Sequence, residues 1–346
     1  MAHEITVRQN GTAEAAFAMM PAWHGLGAVL DHPMSSREAL TAAQLDWLVV
    51  QQKLGRFSEH TDGGGEWREI HGMKANVRGD TGLFLGTVSD AYKVVQNTEA
   101  FEFLDALVTE GQMTYESAFS LSGGRKVVLL GRLPGVDQVV EGDDLLRYVL
   151  LSLCHDGTGA IKFGPTSTRV VCANTYRIAL DKDGDRMTSM DELSISHMGD
   201  VRSKLERARE ILTAANQQFD VHAAASRELA KRKLSVAEWM QYLDIMCPEL
   251  DEHDPDWTER RADAIARTRL SVRAAYHNER QSIEGIEHSA WAAFNAVVEH
   301  IDHLPRRGAT RQQKAEARFN VCLYGAGRDM KRRAFDAACR FAGLAV

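Results

Sequence analysis

The chain has 346 residues, of which 44% are hydrophobic and 26% are charged, and its formal net charge at pH 7 is −7. These proportions are typical of a soluble globular protein with one large domain or two. They exclude a membrane-spanning chain, because no apolar run approaches the length of a span. The N-terminal residues lack the basic start and apolar middle of a signal peptide, and the five cysteines are scattered without a CxxC pair. We therefore expect free thiols and a reducing cytoplasm.

The N-terminal part of the sequence alternates short helix and strand patterns. Residues 36–45 have a helical pattern with Ser35 or Ser36 as the cap, and residues 61–65 are a glycine-rich loop or hairpin tip. Strand patterns cover residues 48–54, 74–77 and 83–88. We expect these strands to extend the sheet that the following residues form.

Residues 92–180 hold the densest strand pattern and the clearest turn signals. A helix is predicted over residues 98–110, with Asn97 as its cap and Gly111 at its end. A hairpin follows, and its turn at residues 122–124 contains two glycines, for which positive φ is cheap. Further strands are predicted over residues 127–133, 147–154, 161–163 and 169–171, and a short helix over residues 174–180. This order predicts an α+β fold with a mixed or antiparallel sheet and flanking helices.

The C-terminal part changes to helical patterns. One helix, running to about residue 233, carries an apolar seam at alternating steps of four and three, formed by Val201, Leu205, Ala208, Leu212, Ala215 and Phe219. We expect the seam to pack on the sheet; exposure for self-association is the alternative. Capping boxes begin further helices at Ser235 and Thr310. The patterns predict an α+β sheet domain over residues 1–195 and a helical domain with a basic tail over residues 196–346.

Several motifs of the sequence resemble one known family. They are Tyr-Lys-Val-Val-Gln-Asn (92–97), Ser-Gly-Gly-Arg-Lys-Val (122–127), Gly-Asp-Asp (142–144), His-Asp-Gly (155–157) and Arg-Val-Val-Cys-Ala-Asn-Thr (169–175). With residues 23–27, 45–47 and 293–302, they look like the phage/plasmid-like family of unknown function, and the resemblance covers most of the chain. It implies a protein of a bacteriophage, a plasmid or an integrated remnant, located in the cytoplasm of a bacterial host cell. It implies no activity.

No pattern of an enzyme or of a metal site stands out. The sequence has no GxxxxGK[ST], HExxH or GxSxG motif. Cys154 and His155 are neighbours on a predicted strand, so their side chains point apart and a thiol–imidazole pair is disfavoured. The carboxylates of residues 137–144 are candidates for Mg²⁺ or Ca²⁺ but suit turns and caps better. Residues 23–27 have two interpretations: a tight loop that brings His24 to a functional site, or a turn in which Trp23 packs at the edge of the hydrophobic core. We predict no catalytic residue, no cofactor and no bound metal.

Basic residues gather on the predicted strands and in the tail. From residue 303 onward ten Lys and Arg accompany three Asp and Glu, a net charge of +7, which leaves −14 for the rest of the chain. This asymmetry suggests a polyanionic partner or a contact between chains. Tyr92, Tyr115 and Phe119 are candidates for stacking on bases. The predicted phosphate-binding residues are Arg125, Lys126, Arg132, Lys162, Arg169, Arg177, Lys331, Arg332 and Arg333.

Two functions are consistent with these patterns. The first is binding of single-stranded DNA in recombination or replication, because the order of helix, strands and helix is similar to that of ring-forming single-strand annealing proteins. The second is a non-enzymatic, oligomeric structural or host-interaction protein of a mobile element. The opposed charges of body and tail favour head-to-tail assembly, and we expect a homo-oligomer. A metal-dependent enzyme built on residues 137–144 is a third alternative.

Overall fold

The computed structural model has an α+β fold with a helical C-terminal region, as predicted. It describes residues 5–19, 27–59, 65–158, 162–169, 174–177, 201–255, 257–303 and 326–344. No helix among these residues is long and apolar enough to cross a bilayer. The strands are β1 (Ala15–Ala18), β2 (Ala28–Leu30), β3 (Val49–Glu59), β4 (Gly65–Arg78), β5 (Phe84–Ser89), β6 (Thr114–Leu121), β7 (Lys126–Val140), β8 (Asp143–Cys154), β9 (Lys162–Arg169) and β10 (Asn174–Arg177). The helices are α1 (Ser36–Ala42), α2 (Asn97–Thr109), α3 (Val201–Lys231), α4 (Val236–Met246), α5 (Glu259–Tyr276), α6 (Ala290–His303) and α7 (Ala326–Phe341).

The larger sheet contains seven of the described strands, in the order β10-β9-β8-β7-β6-β1-β2. Its pairings are antiparallel except that of β1 with β2. The hairpin between β6 and β7 turns at Gly123 (φ 76°) and Gly124 (φ 104°), as the sequence predicts. Val127 and Leu129 lie on one face of β7 and are fully buried in the main hydrophobic cluster. Val128, on the other face, is also fully buried, in a small cluster with Leu121 and Leu150, so the sheet is buried on both faces at this point.

The strands β3, β4 and β5 form a second, smaller sheet. The expectation that the strands predicted over residues 48–54, 74–77 and 83–88 extend the larger sheet is therefore wrong. The strands β1 and β2, which were not predicted, extend it instead. The physical reason is that β1 pairs with β6, with Ala15 opposite Phe119, and occupies the edge that β3 to β5 would need. Of the loop predicted at residues 61–65, only Gly65 is among the described residues, where it begins β4.

Residues 174–177 form strand β10 and not the start of the predicted helix. β10 pairs with β9, and Arg177 lies opposite Thr166. The threonine and tyrosine of this segment favour strands, and pairing with β9 outweighs the capping tendency of Asn174. Arg177 is consequently a residue of the sheet and not of a first helical turn.

The first turn of α2 differs from the prediction by one residue. Gln96, not Asn97, takes the cap position, and its backbone N–H donates to Oε2 of Glu99 (2.7 Å). The Asn97 side chain turns inward instead and donates to the carbonyl oxygen of Leu45 (2.9 Å). Gly111, with φ 68°, follows the end of the helix as predicted.

Helices α2 and α3 cover the face of the larger sheet that holds Val127 and Leu129. They contribute to the same hydrophobic cluster as Leu129 and Leu151 of the strands, through Phe101, Leu104, Leu107, Leu212, Ala215 and Phe219. The seam of α3 therefore packs on the sheet, as predicted, at the three seam positions whose side chains the structure describes.

A second hydrophobic cluster holds the C-terminal helices together. Trp291 and Tyr242 are fully buried in it, beside Val139 of β7. Leu229 and Ala230, near the end of α3, belong to the same cluster. Helix α3 thus contributes to both cores, and the division of the chain at residue 195 stays a prediction.

Candidate functional site

Arg125 and Lys126 lie at the tip of the hairpin between β6 and β7, beside the end of β8. Arg125 is exposed, and its carbonyl oxygen accepts a hydrogen bond from the backbone N–H of His155 (2.7 Å). Lys126 is half-buried at the start of β7, where it lies opposite Cys154. The turn glycines and the end of β8 therefore hold both cations at one end of the larger sheet.

Two other predicted cations lie in one row across the larger sheet. Arg132 of β7 is opposite Tyr148 of β8, Tyr148 is opposite Thr166 of β9, and Thr166 is opposite Arg177 of β10. Arg132 is exposed, whereas Tyr148 is buried. The sequence identified both arginines, but only the register of four strands places them in the same row.

Lys162 and Arg169 lie at the two ends of β9. Lys162 is opposite Ser152, near the hairpin tip, and Arg169 is opposite Leu145 at the far end. Along β7, the distance from Lys126 to the row of Arg132 is about 20 Å at the usual rise of a strand. Because residues opposite one another share a face, Lys126, Arg132, Lys162 and Arg177 lie at positions of one face of the sheet. Arg169, opposite the buried Leu145, lies at a position of the other face, which the helices cover.

The three tail cations of the prediction lie on α7 but not on one surface. Lys331 is 6% exposed, and its Nζ forms an ion pair with Oδ1 of Asp302 (2.5 Å). Arg332 and Arg333 are exposed, and Arg333 donates to the carbonyl oxygen of Ile245 (3.2 Å). A buried ammonium group requires a partner of opposite charge, and the carboxylate of Asp302 fills this role for Lys331. A phosphate group of a bound strand does not reach the buried Lys331.

The predicted stacking residues are less accessible than expected. Tyr115 is 1% exposed and donates its hydroxyl to the carbonyl oxygen of Phe101 (2.8 Å), so the prediction that it stacks on bases is wrong. Burial raises the pKa of Tyr115 well above its usual range. Tyr92 is half-buried and donates its hydroxyl to the carbonyl oxygen of Cys154 (2.9 Å). Phe119 is half-buried against a small apolar cluster on the sheet.

Motifs that are far apart in the sequence meet where the smaller sheet contacts the end of the larger one. The ring of His155 lies 5.6 Å from that of Trp47, edge to face, and its Nε2 lies 2.9 Å from Oδ1 of Asn97. Nδ2 of Asn76 donates to the carbonyl oxygen of His155 (2.8 Å). Burial lowers the pKa of His155 to about 4, so the imidazole is neutral. The motifs at residues 45–47, 92–97 and 155–157 are therefore parts of one packed junction.

A buried ion pair lies beside this junction. Arg78 is 2% exposed, Glu14 is fully buried, and Nη1 of Arg78 donates to Oε2 of Glu14 (2.9 Å). The guanidinium carbon lies 4.3 Å from the ring centroid of Trp47, and Nε donates to Oδ1 of Asp80 (2.7 Å). Because both partners are buried and hydrogen-bonded, this pair joins β4 to the N-terminal residues and is not a docking site.

The carboxylates of residues 137–144 are engaged with protein groups. Asp137 accepts a hydrogen bond from Nε of Arg147 (2.7 Å), and the buried Asp143 accepts one from the indole N–H of Trp291 (2.8 Å). The predicted acidic loop is largely strand, because β7 continues to Val140 and β8 begins at Asp143. In the described part of the chain, no group of three or more His, Cys, Asp or Glu side chains is placed to hold a metal ion.

Cys154 is not arranged as a nucleophile. Its Sγ donates to Oδ1 of Asp156 (2.9 Å), whereas His155 bonds to Asn97. Burial and the carboxylate of Asp156 raise the pKa of the Cys154 thiol, which is the opposite of what a thiolate nucleophile needs. The thiol and the imidazole therefore use separate partners, as strand alternation predicts.

The family model described as a domain of unknown function, DUF932, matches residues 84–322. The chain belongs to this family. No curated protein and no solved structure matches the chain. The DUF932 region begins at β5 and includes the hairpin cations, the row of Arg132 and the His155 side of the junction. Strands β3 and β4, the Arg78–Glu14 pair and the cations of α7 lie outside it.

Two exposed aromatic residues on the smaller sheet were not singled out from the sequence. Phe57 of β3 is 63% exposed and Trp67 of β4 is 53% exposed. A signal was present, since each follows a glycine by two positions, Gly55 in one strand and Gly65 in the other. Glycine inside a strand marks a place where another group approaches the backbone closely. Here the same spacing in two paired strands indicates that each aromatic ring occupies the space beside a glycine of the other strand.

Proposed function

We propose that this protein binds single-stranded DNA along the larger sheet, in recombination or replication of a bacteriophage, a plasmid or an integrated remnant. Arg332 and Arg333 assist from α7, and Lys331 takes no part. The observation that supports this proposal is the register that aligns Arg132 with Arg177 while Lys162 lies near the hairpin tip. The proposed phosphate-binding residues are Arg125, Lys126, Arg132, Lys162 and Arg177. Arg169 takes no part, because its position in the register belongs to the opposite face of the sheet.

The local charge of this set, not the net charge, attracts the strand. A chain with a formal net charge of −7 repels a polyanion at long range. Salt screens that repulsion beyond about 10 Å at 0.1 M ionic strength. Cations spread over about 20 Å of sheet can contact successive phosphates of a linear polyanion. A compact anion would contact only one or two of them. A single-stranded nucleic acid therefore suits the arrangement better than a small anion.

Fluorescence anisotropy of a labelled oligothymidine over a salt series tests the proposal. For single strands, the slope of log affinity against log salt is about 0.7 for each phosphate neutralised. The double substitution Arg125→Ala with Lys126→Ala should lower the slope by about 1.4 if both residues contact phosphates.

The matched control removes the same two charges elsewhere. Arg267 and Arg273 lie exposed on α5, and changing both to Ala should leave the slope unchanged. If both double variants lower the slope equally, only the overall charge matters and the proposed placement is wrong. If the wild-type protein does not retain the oligonucleotide at low salt, the proposed function is wrong.

The second candidate is the oligomeric structural or host-interaction protein. The opposed charges of the tail and the rest of the chain favour it. The α3 seam gives it no support at Leu212, Ala215 and Phe219, because these residues pack on the sheet. A salt-dependent decrease in size on gel filtration, without retention of oligonucleotides, would favour this function over DNA binding.

A further inference from the structure

The far ends of β3 and β4 form a two-stranded arm, residues 55–59 and 65–69, which we call the β-arm. In it Gly55 is opposite Glu69, Phe57 is opposite Trp67, and the register ends with Gly65. Strand β5 pairs only with residues 73–77 of β4, so it does not cover the β-arm.

Each aromatic ring of the β-arm rests on a glycine of the opposite strand. A Cβ atom built on Gly55 would lie 2.0 Å from Cζ2 of Trp67, and one built on Gly65 would lie 2.0 Å from Cζ of Phe57. The two rings therefore occupy the space of the missing side chains and lean towards opposite ends of the β-arm. Each keeps more than half of its surface in solvent, with 63% of Phe57 and 53% of Trp67 exposed.

This arrangement is costly if its only purpose is stability. Glycine in a strand destabilises it relative to alanine, because glycine loses more backbone freedom on folding, and the β-arm has one under each ring. Phe57 and Trp67 belong to none of the hydrophobic clusters formed by the described residues. What the glycines provide is a fixed position for two exposed aromatic surfaces, so little side-chain freedom is lost when a ligand binds.

The reverse face of the β-arm carries a repulsive pair of charges. Arg56 lies directly opposite Arg68, and both are exposed. Like charges at directly opposite positions destabilise a strand pair, and an anion bound near both removes that repulsion. Arg68 also pairs with Glu66 (2.8 Å), but an exposed pair of this kind is weak enough to exchange for another anion.

A ligand that matches both faces has planar rings and negative charge. We propose that the β-arm is a base-stacking site for single-stranded nucleic acid, with Phe57 and Trp67 as the stacking residues and Arg56 and Arg68 at the phosphates. The ribbon is only two strands wide, about 5 Å between strands, so the arginines reach its edges. This inference rests on the proposed function and adds a contact outside the DUF932 region.

The β-arm contributes to binding in a different way from the hairpin cations. Its described residues carry Arg56 and Arg68 against Glu59, Glu66 and Glu69, so the β-arm is not a basic patch. Its share of the affinity comes mainly from stacking, which depends little on salt. Removing the rings should therefore lower affinity by a similar factor at every salt concentration, whereas removing hairpin cations changes the slope.

The decisive variant is Phe57→Leu with Trp67→Leu, which keeps apolar side chains but removes both rings. Binding is measured with oligothymidine and with an abasic oligomer of equal length, over the same salt series. We expect the wild-type protein to prefer oligothymidine, and the variant to lose about ten- to a hundredfold in affinity for it with an unchanged slope. Its affinity for the abasic oligomer should stay close to that of the wild type.

Phe84→Leu is the matched control, because Phe84 is an exposed aromatic residue (45%) on β5 and lies off the β-arm. A second measurement uses Trp67→Phe, which keeps an aromatic ring. The difference in tryptophan fluorescence between the wild type and this variant is the emission of Trp67, and a stacked base should quench that emission. Together these separate stacking from a change in folding.

Two results would overturn the inference while the proposed function survives. In one, the wild-type protein binds oligothymidine and the Leu double variant binds it equally well. In the other, that variant keeps its affinity but changes its size on gel filtration, which would make the β-arm a contact between copies of the chain. Absence of binding by the wild type would instead overturn the proposed function, and this inference with it.

Discussion

Nε2 of His155 donates a hydrogen bond to Oδ1 of Asn97 (2.9 Å), and both side chains are buried. The direction is fixed because Nδ2 of Asn97 donates to the carbonyl oxygen of Leu45, which leaves its oxygen to face the ring. This bond joins the end of β8 to the first turn of α2. It places a titratable group at the junction of the two sheets and α2.

Protonation of His155 should destabilise the fold. Burial lowers its pKa to about 4, from an ordinary value near 6.5 in the unfolded chain. Between these values the unfolded chain binds more protons, so stability is fully present above about pH 6.5 and falls as the pH decreases towards 4. Burial lowers the pKa of His222 to about 4 as well, and this second imidazole acts in the same direction.

The variant His155→Gln tests this prediction, since its amide can still donate to Asn97 but does not titrate. Urea unfolding at pH 7.5, 5.5 and 4.5 should show a smaller loss of stability for the variant, by up to about 3 kcal/mol at the lowest pH. An unchanged pH dependence would show that His155 is already protonated in the folded chain or stays accessible to water.

Removing Arg78 should be more damaging than removing the whole buried pair. Arg78→Met leaves the carboxylate of Glu14 fully buried with Arg8 as its remaining cation (2.8 Å). Breaking a buried pair costs about 3–5 kcal/mol, whereas an apolar replacement of both partners is far less costly. We expect Arg78→Met with Glu14→Met to unfold at higher urea than Arg78→Met alone. Strictly additive losses in the double-mutant cycle would contradict this coupling.

Asp143 should matter more to stability than its neighbour Asp144. Asp143→Ala removes the acceptor of the Trp291 indole N–H in the helical core, which should cost about 1–3 kcal/mol. Asp144→Ala is the matched control, because Asp144 accepts a long hydrogen bond from Nε2 of Gln138 (3.3 Å) at the surface. Its effect should stay within about 0.5 kcal/mol. Chemical unfolding measures both, and equal losses would argue against the Asp143–Trp291 bond as a link between sheet and helices.

The cysteines should all be free thiols, and those in the cores should react slowly. Cys154, Cys247 and Cys339 are free and buried, and burial raises the pKa of each, to about 11 for Cys339. Alkylation followed by mass spectrometry should find five thiols in denaturant, with these three protected in the native protein. A stoichiometric intrachain disulfide would contradict the expectation of a reducing compartment.

Local signals predicted several elements closely. Ser35, one of the two predicted caps, begins α1, and the capping box at Ser235 begins α4. Such signals succeed because a cap and the turn that it closes lie within four residues of each other. The prediction of a helix from Asn174 was wrong because the cap signal is local, whereas the pairing with β9 that decides the structure of this segment is not.

The candidate site depended on more distant relationships. The sequence identified Arg132, Arg177 and Lys331 as cations, but it did not show that the first two share a row or that the third is buried. The row follows from the register of four strands, and the burial of Lys331 follows from Asp302 on a different helix. The glycine spacing under Phe57 and Trp67 was readable, but its meaning required the pairing of β3 with β4.

By itself, the sequence determined the α+β class, the turn at Gly123 and Gly124, and the apolar seam of α3, because each depends on residues close together in the chain. Only the tertiary structure decided that β3 to β5 form a separate sheet, and that His155, Asn97 and Trp47 meet at its junction with the larger one. Strand pairing is decided by competition among many distant partners for the same backbone hydrogen bonds and buried area. A short stretch of sequence contains its own preference but not those of its competitors.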